Sequence, residues 1–520
     1  MKLVLLLSFV AFGVDASKIL VWPAEWSHWI NMKIIIKELI SRDHEVAIMR
    51  SSAYTDFIKI DIPEASYIDF YVPYEEGHHL QSMDKVLSQV KLGDPAESSF
   101  FGKAYAMVSF VAEQLSMRMN QCELVMSNST LLNSLNATDF DLVLADPTVM
   151  CGELIATKMG VPFVYNVRTL PAELHFSLSQ TPMPLSYVPM INTEFSDKMN
   201  LFERTLNMIT YAYQTIGVRA GLSMMDSIVH KYIDSNRSFL DIVSQSSMWL
   251  IRTDFAFEYP RPLMPNVKFI GGFHCQEAEP IKDENLLDWI NEAKDGIIVF
   301  SMGSMVRSMH KSKAEVIAAA LARLPQRVIW RYDGEMPDSL GANTKTMDWI
   351  PQNELMGHAK TKLFISHGGT NGLYQAIYHG IPVVGVPLLV DQFDNMLRVT
   401  ERGAGVTLDI TTLTSDELYE TVSRVIADYT FTESAQRMSR IHRDKAMTPL
   451  ESAVFWIEYT IRTKGAYHLR PAAHNLYWYQ YLMLDSLALI AAVLYLLYRY
   501  LPTTLKFIFS SSLRPKMKTE

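Results

Sequence analysis

Residues 364–392, FISHGGTNGLYQAIYHGIPVVGVPLLVDQ, decide the reading of the chain, because short apolar runs there flank a glycine turn and a helical stretch. Leu363 to Ile365 is a strand candidate that breaks at Ser366 into His367, Gly368 and Gly369. Thr370, Asn371 and Gly372 then open a helical pattern that runs to Tyr378. Strand, glycine turn and helix in this order let backbone N–H groups and the positive helix N-terminus approach a pyrophosphate, with His367 and Asn371 as side-chain donors. Farther on, Pro382 and Pro387 bracket a second strand, Val383 to Val386, and deliver Asp391 and Gln392 to the same rim. A carboxylate beside an amide suits the vicinal hydroxyls of a sugar. The stretch implies part of an α/β unit that holds a nucleotide-sugar.

Working outward, the rest of the chain has the composition for such units. Its 520 residues, 49% of them hydrophobic, suffice for two large cores. A net charge of −9 argues against a nucleic-acid partner. From Lys18 to about His274, apolar runs alternate with longer helical stretches: Ile19 to Trp22, Val46 to Met49, Leu142 to Ala145, Pro162 to Tyr165 and Trp249 to Ile251. After a polar, acidic segment at 275–285, the runs Ile297 to Phe300, Arg327 to Tyr332, Leu363 to Ile365 and Val383 to Val386 repeat the pattern. Both halves therefore predict parallel α/β sheets with sites beyond the carboxyl ends of the strands.

The spacing of histidine, glycines, asparagine, two prolines and terminal Asp-Gln in 364–392 resembles the signature segment of the UDP-glycosyltransferase family, with the animal UDP-glucuronosyltransferases as the nearest branch. The resemblance implies a GT-B type fold: two Rossmann-like domains facing a cleft, plus a C-terminal single transmembrane helix. It implies that the acceptor binds mainly to the first domain and the UDP-sugar mainly to the second. The expected divisions are a signal peptide at 1–16, an acceptor-binding domain at 17–274, a linker at 275–285 and a donor-binding domain at 286–450. Helices that pack back and a membrane-proximal segment follow at 451–481, then a transmembrane helix at 482–500 and a cytosolic tail at 501–520.

The termini point to the secretory route. Lys2 and the run Leu3 to Phe12 form a basic region and an apolar core, with small residues before Ser17 for cleavage. Leu482 to Tyr500 is apolar apart from Asp485 and Arg499, the length needed to cross a bilayer once. Tyr477, Trp478, Tyr479 and Tyr481 precede it as an interfacial aromatic belt, and Arg499, Lys506, Arg514, Lys516 and Lys518 follow it. The positive-inside rule puts that tail in the cytosol and the body in the lumen. In resembling proteins, Lys516 and Lys518 would act as a dilysine-type signal returning the protein to the endoplasmic reticulum. Sequons at Asn128, Asn136 and Asn236 are compatible with a lumenal body. Cys122, Cys151 and Cys275 allow at most one internal bridge.

For chemistry, the loop after the first strand, Trp22-Pro23-Ala24-Glu25-Trp26-Ser27-His28, sets His28 at a strand-to-helix turn. Sugar transfer to a hydroxyl needs a base, and imidazole accepts a proton at neutral pH. Asp146, after the strand Leu142 to Ala145 and before Pro147, would hold the His28 ring in one tautomer. Both positions match the catalytic histidine and aspartate of the resembling enzymes, although Trp26 stands where the family often has glycine.

On the donor side, the resemblance assigns Trp349 and Gln352 to uracil, while the turn at Ser301-Met302-Gly303-Ser304 offers Ser304 to a phosphate. His367, Gly369, Asn371 and Gly372 would cradle phosphates, Asp391 and Gln392 the hexose, and Arg252 is the candidate partner of a uronate carboxylate. Gln375 departs from the family pattern, which carries a ribose-binding glutamate there. Asp139-Phe140-Asp141 matches a metal-binding DxD pattern but precedes a strand far from the donor segment, so it reads as a turn, and no metal is expected.

The expected activity is inverting transfer of glucuronic acid from UDP-glucuronate to a hydroxyl or other nucleophile of a lipophilic small molecule, in a membrane-anchored protein; membrane-bound relatives commonly associate, which leaves a homo- or a hetero-oligomer open. Its rivals are a UDP-hexosyltransferase with a glucose, galactose, xylose or N-acetylglucosamine donor, and a non-catalytic nucleotide-sugar-binding membrane protein. The acceptor wall is expected from loops within Ser51 to Glu75 and Leu170 to Asn200.

Overall fold

Runs of Val, Ile and Leu buried on both faces build the centre of each sheet, as parallel sheets covered by helices require. The computed structural model describes residues 16–55, 58–75, 100–168, 173–304, 306, 309–389 and 391–512. The apolar run Leu3 to Phe12 and the Lys516 and Lys518 pair lie outside the described residues.

The first sheet contains β1 (Lys18–Trp22), β2 (Glu45–Ser51), β3 (Ser66–Phe70), β4 (Leu142–Ala145), β5 (Phe163–Val167), β6 (Met248–Ile251) and β7 (Val267–Phe269). Its order is β3-β2-β1-β4-β5-β6-β7, every pair parallel. The second sheet contains β8 (Ile297–Ser301), β9 (Arg327–Arg331), β10 (Thr344–Met347), β11 (Thr361–Ser366), β12 (Val383–Gly385) and β13 (Gly405–Thr407). Its order is β10-β9-β8-β11-β12-β13, again wholly parallel. Both are doubly wound, so the strand order reverses between β1 and β4 and between β8 and β11. At such a switch point the loops diverge and leave a crevice.

Helices cover both sheets. Helix Ser27–Ser41 buries Trp29, Met32, Ile35, Ile36 and Leu39, an i, i+3, i+4, i+7 stripe that joins the core of the first sheet. Helix Pro449–Arg462 starts with a Thr448–Glu451 capping box and sets Ala453, Val454 and Ile457 into that same core, with Glu458 meeting Arg42 at 3.4 Å. Cys122 and Cys151 form a disulfide with their Cα atoms 5.3 Å apart. Cys275 is a free thiol whose burial pushes its pKa far up. Asp283 caps helix Glu284–Asn291 by accepting from the Leu286 N–H, so helical structure begins inside the polar 275–285 segment.

Contacts divide the chain into one unit up to Leu469, which holds both sheets, and a second from Arg470 to Glu520. The second unit's long helix, Leu484–Ser512, includes a stretch, Leu484–Lys506, long and apolar enough to cross a membrane. It runs helically through Pro502, beyond the end expected at Tyr500.

Candidate active site

Each switch point carries one half of the site. In the first sheet, Trp22 pairs with Ala145 and the Asp146 N–H donates to the Trp22 carbonyl, so the loops leaving β1 and β4 start side by side. This brings His28 Nδ1 to 2.6 Å from Asp146 Oδ2. Asp146 is fully buried, and its other oxygen accepts from the Thr148 N–H at 3.0 Å. Burial alone would raise the Asp146 carboxyl, but the His28 and Arg252 charges and these hydrogen bonds outweigh it and hold the group at about 2. The aspartate is therefore charged and accepts a hydrogen bond from Nδ1–H, leaving Nε2 as the basic nitrogen. Burial, with the Arg252 and Arg168 charges, outweighs the pull of Asp146 and sets the His28 pKa below its ordinary value. His28 is thus neutral at pH 7.

The Trp26 backbone explains why glycine is common at that position in the resembling family. Its φ of 60° with ψ of −134° lies in a region that suits glycine, and it directs the chain into the helix that carries His28.

In the second sheet, Ser301 of β8 pairs with Ser366 of β11, so the turns holding Ser304 and His367 face one another. The His367 ring fits between them only because both turns carry glycine. A Cβ on Gly303, whose φ is +79°, would lie 2.5 Å from the imidazole, and one on Gly369 would lie 2.4 Å from it. Burial and the Arg168 charge push the His367 pKa down to about 4, so it is a neutral hydrogen-bonding group. Helix Thr370–His379 starts beside it.

Side-chain amides here are oriented by their own hydrogen bonds. Asn371 Oδ1 accepts from Asn31 Nδ2 at 2.8 Å, which leaves the Asn371 NH₂ to donate. Gln392 Oε1 accepts from the Leu388 and Leu389 N–H groups at 2.8 and 3.0 Å, which likewise leaves its NH₂. Gln352 Nε2 donates to Gln375 Oε1 at 2.6 Å. Gln375 therefore offers a donor where the family glutamate would offer an acceptor.

A cavity of about 630 Å³ joins the two halves. It is lined by His28, Ser304, Trp349, Gln352, His367, Gly369, Asn371, Gly372, Gln375, Asp391 and Gln392, so eleven sequence-derived candidates share one space. Asp146 stands behind His28. Arg252 does not reach the wall: it is 5% exposed, its guanidinium has no hydrogen-bond partner among the described residues, and its charge acts on Asp146 and His28. The expected direct contact from Arg252 to a uronate is thus not the one that the geometry offers, because the residue is buried and off the cavity wall.

Several lining residues lack a motif. Asn31 stands one turn after His28, Arg168 is the first residue past β5, and Arg331 ends β9, with its guanidinium 5.5 Å from the Trp349 ring. Arg168 Nη2 meets Asp391 Oδ2 at 3.3 Å across the cleft. The rule that ligands sit beyond carboxyl ends of strands marks both arginines. Beside His28, Phe110, Gln114 and Leu115 of helix Phe100–Ser127 line the cavity with Ile30 and Ile34. Among the described residues, neither 51–75 nor 173–200 reaches it, so helices replace the expected loops as its wall.

The DxD look-alike sits at the opposite, amino end of β4. Asp141 Oδ2 accepts from the Lys18 N–H at 2.8 Å, and Asp139 adopts a φ of 56°, a turn that pins β1 to β4.

Comparison with known proteins agrees with this geometry. The family described as "UDP-glucoronosyl and UDP-glucosyl transferase" matches residues 17–519. UDP-glucuronosyltransferase 2A2 of Mus musculus is 40% identical over 489 residues, covering 92% of this chain and 91% of the relative. UDP-glucuronosyltransferase 2B15 of Homo sapiens is 41% identical over 488 residues, covering 92% and 90%. Among solved structures, the calicheamicin glycosyltransferase CalG4 superposes with a TM-score of 0.56 at 16% identity, covering 86% of this chain and 98% of that one. The glycosyltransferase VinC gives 0.54 at 18%, covering 86% and 99%. These likenesses show the GT-B architecture of two parallel-sheet α/β domains. The chain belongs to the UDP-glucoronosyl and UDP-glucosyl transferase family of glycosyltransferases.

Proposed function

We propose that this protein transfers glucuronic acid from UDP-glucuronate to a hydroxyl or other nucleophile of a lipophilic small molecule, with inversion at the anomeric carbon. The observation that carries the reading is the His28–Asp146 pair at 2.6 Å, facing a cavity whose other wall holds His367, Asn371, Asp391 and Gln392. Relatives named as UDP-glucuronosyltransferases over nine-tenths of the chain support this donor.

In the step, His28 Nε2 takes the acceptor proton as the acceptor oxygen bonds to the anomeric carbon. The bond from that carbon to the diphosphate oxygen breaks with its electron pair, giving the glucuronide and UDP. Asp146 stabilises the imidazolium as it forms. The N-terminus of helix Thr370–His379 and the Asn371 NH₂ meet the charge that grows on the leaving diphosphate. Trp349 and Gln352 would hold uracil, Gln375 a ribose hydroxyl, Ser304, Gly369 and Gly372 the phosphate surroundings, and Asp391 and Gln392 the hexose. Ile30, Ile34, Phe110 and Leu115 give the acceptor end an apolar wall suited to lipophilic molecules.

The same reading places the body in the endoplasmic-reticulum lumen, anchored by the apolar stretch Leu484–Lys506, with Lys516 and Lys518 in a cytosolic tail. The Cys122–Cys151 bridge suits an oxidising compartment, and Asn128, Asn136 and Asn236 are all exposed.

Microsomes carrying the full chain, supplied with a phenol and a panel of UDP-sugars, test the reading. Glucuronide should form from UDP-glucuronate and vanish in His28→Ala. Preference for a neutral hexose would displace the donor assignment, and wild-type turnover in His28→Ala would remove the base.

A further inference from the structure

One cation on the cavity wall has no part in the chemistry above. We propose that Arg168 selects the donor by binding the carboxylate of the uronate, an inference that rests on the transferase reading.

Three arginines line the cavity among the described residues: Arg118, Arg168 and Arg331. Two are already engaged. Arg118 gives both terminal nitrogens to the two oxygens of Glu25, the second at 2.7 Å, in a buried bidentate pair. Arg331 donates to the carbonyls of Gly303 and Val306. Arg168 differs from both. Its one ion pair among the described residues, with Asp391, is a single contact at 3.3 Å, longer than the usual charge-assisted bond of about 2.7–2.9 Å. Its Nε is buried with no partner among the described residues, while the side chain is 20% exposed. A guanidinium carries five N–H donors, so most of its capacity is unspent.

Its position matches the place of the sugar. Arg168 lines the same cavity as His28 and His367, and its charge acts on both. It also faces Asp391, the carboxylate next to the hexose in the reading above. A uronate there would be repelled by Asp391 unless a cation lay between them, and a planar fork can serve two carboxylates at once. Arg252, 5% exposed, is not among the residues that line the cavity. A neutral hexose has no carboxylate to gain from Arg168, so this residue separates UDP-glucuronate from UDP-glucose.

Calorimetry on the purified full chain in detergent, with UDP, UDP-glucose and UDP-glucuronate as titrants, tests the assignment. Arg168→Gln should weaken UDP-glucuronate by about tenfold to hundredfold, as expected for losing hydrogen bonds between charged groups, while UDP and UDP-glucose keep their affinities. Arg168→Lys should recover part of the loss, since it keeps the charge without the fork. Equal weakening of all three titrants would assign Arg168 to the diphosphate and overturn the inference, as would unchanged UDP-glucuronate affinity in a variant whose thermal unfolding matches wild type. If Arg168→Gln fails to fold, the Lys variant alone decides, through its ratio of UDP-glucuronate to UDP-glucose affinity. A wild-type chain that binds UDP-glucose more tightly than UDP-glucuronate would instead sink the donor assignment, and this inference with it.

Discussion

Replacing Asp146 by Asn is the sharpest test of the His28–Asp146 pair. The carboxyl is held at about 2 against an ordinary 3.8. At about 1.36 kcal/mol per pKa unit, that is roughly 2.5 kcal/mol of preference for the charged form. Because the folded pKa is depressed, this stabilisation is present above pH 3.8 and lost as pH falls through 2, so at neutral pH the wild type has all of it. The amide has no charge with which to oppose the forming imidazolium, and its NH₂ can favour the wrong ring tautomer. By analogy with buried aspartates behind other catalytic histidines, kcat should fall about 10³- to 10⁴-fold. Asp146 lies behind the base and off the cavity wall, so the KM for UDP-glucuronate should stay near wild type. The pH profile gives a second readout. His28 works in its neutral form, so activity rises with pH through a pKa below 6.5 and then levels. Without Asp146 the burial term and the Arg252 and Arg168 charges act unopposed, and that acid limb should move to lower pH. Quantifying the glucuronide by chromatography and mass spectrometry from pH 5 to 9 measures both effects. A kcat within tenfold of wild type, or an acid limb moved upward, would refute the assignment of Asp146 as the partner of the base.

Further outcomes follow from single side chains. Gly369→Ala puts a methyl group against the His367 ring, where the space is 2.4 Å, so UDP affinity measured by calorimetry should drop more than about tenfold, with thermal stability also lowered. Gln375→Glu restores an anionic partner for the ribose while still accepting from Gln352, and the KM for the UDP-sugar should improve by roughly 1 kcal/mol, about fivefold. Glu153 is fully buried, and burial raises its carboxyl to about 7 from 4.5. Its contribution to stability is therefore whole below pH 4.5 and lost as pH rises through 7, so Glu153→Gln should raise the melting temperature at pH 8 and flatten its dependence on pH between 5 and 8.

How much of this was legible in the sequence follows from burial. The central strands β1, β2, β4, β5, β6, β8, β9, β11 and β12 all read as apolar runs because both faces are covered. The strands that escaped notice, β3, β7, β10 and β13, are the four sheet edges. They carry exposed or half-buried residues, as in Ser66–Phe70 and Thr344–Met347, and a one-sided environment leaves no continuous apolar signal. The same distinction runs through the site. His28, Asp146 and the 364–392 residues were visible because each follows a central strand and carries a chemistry-bearing side chain. Arg168 and Arg331 obey the same positional rule but belong to no motif, and spacing along β6 does not reveal that Arg252 is buried off the cavity wall. The apolar cavity wall supplied by helix Phe100–Ser127 gives no signal, since an apolar helix face looks the same whether it covers a core or a cavity.

What makes the two half-sites one site is the set of polar contacts that cross the cleft. Asn31, on the helix that carries His28, donates to Asn371 at the start of the donor helix, and His274 Nε2–H donates to the Asn371 carbonyl at 3.1 Å. Asp394, two residues past Gln392, accepts from the backbone N–H groups of Asn192 and Glu194 at 2.6 and 3.0 Å. Arg398 on that same helix donates to Glu258 at 3.0 Å. These groups come from the loops and helices that leave the carboxyl ends of both sheets, so the distance between His28 and the start of helix Thr370–His379 is set by direct bonds. An attacking oxygen must approach its carbon to about 3–3.5 Å before reaction, and errors of 1 Å are costly. A doubly wound sheet positions side chains well within its own crevice but says nothing about a second sheet. In this chain Asn371 supplies one such constraint, because it is bonded to the helix that carries His28 through Oδ1 and keeps its NH₂ free of that bond, as the proposed contact with the leaving group requires.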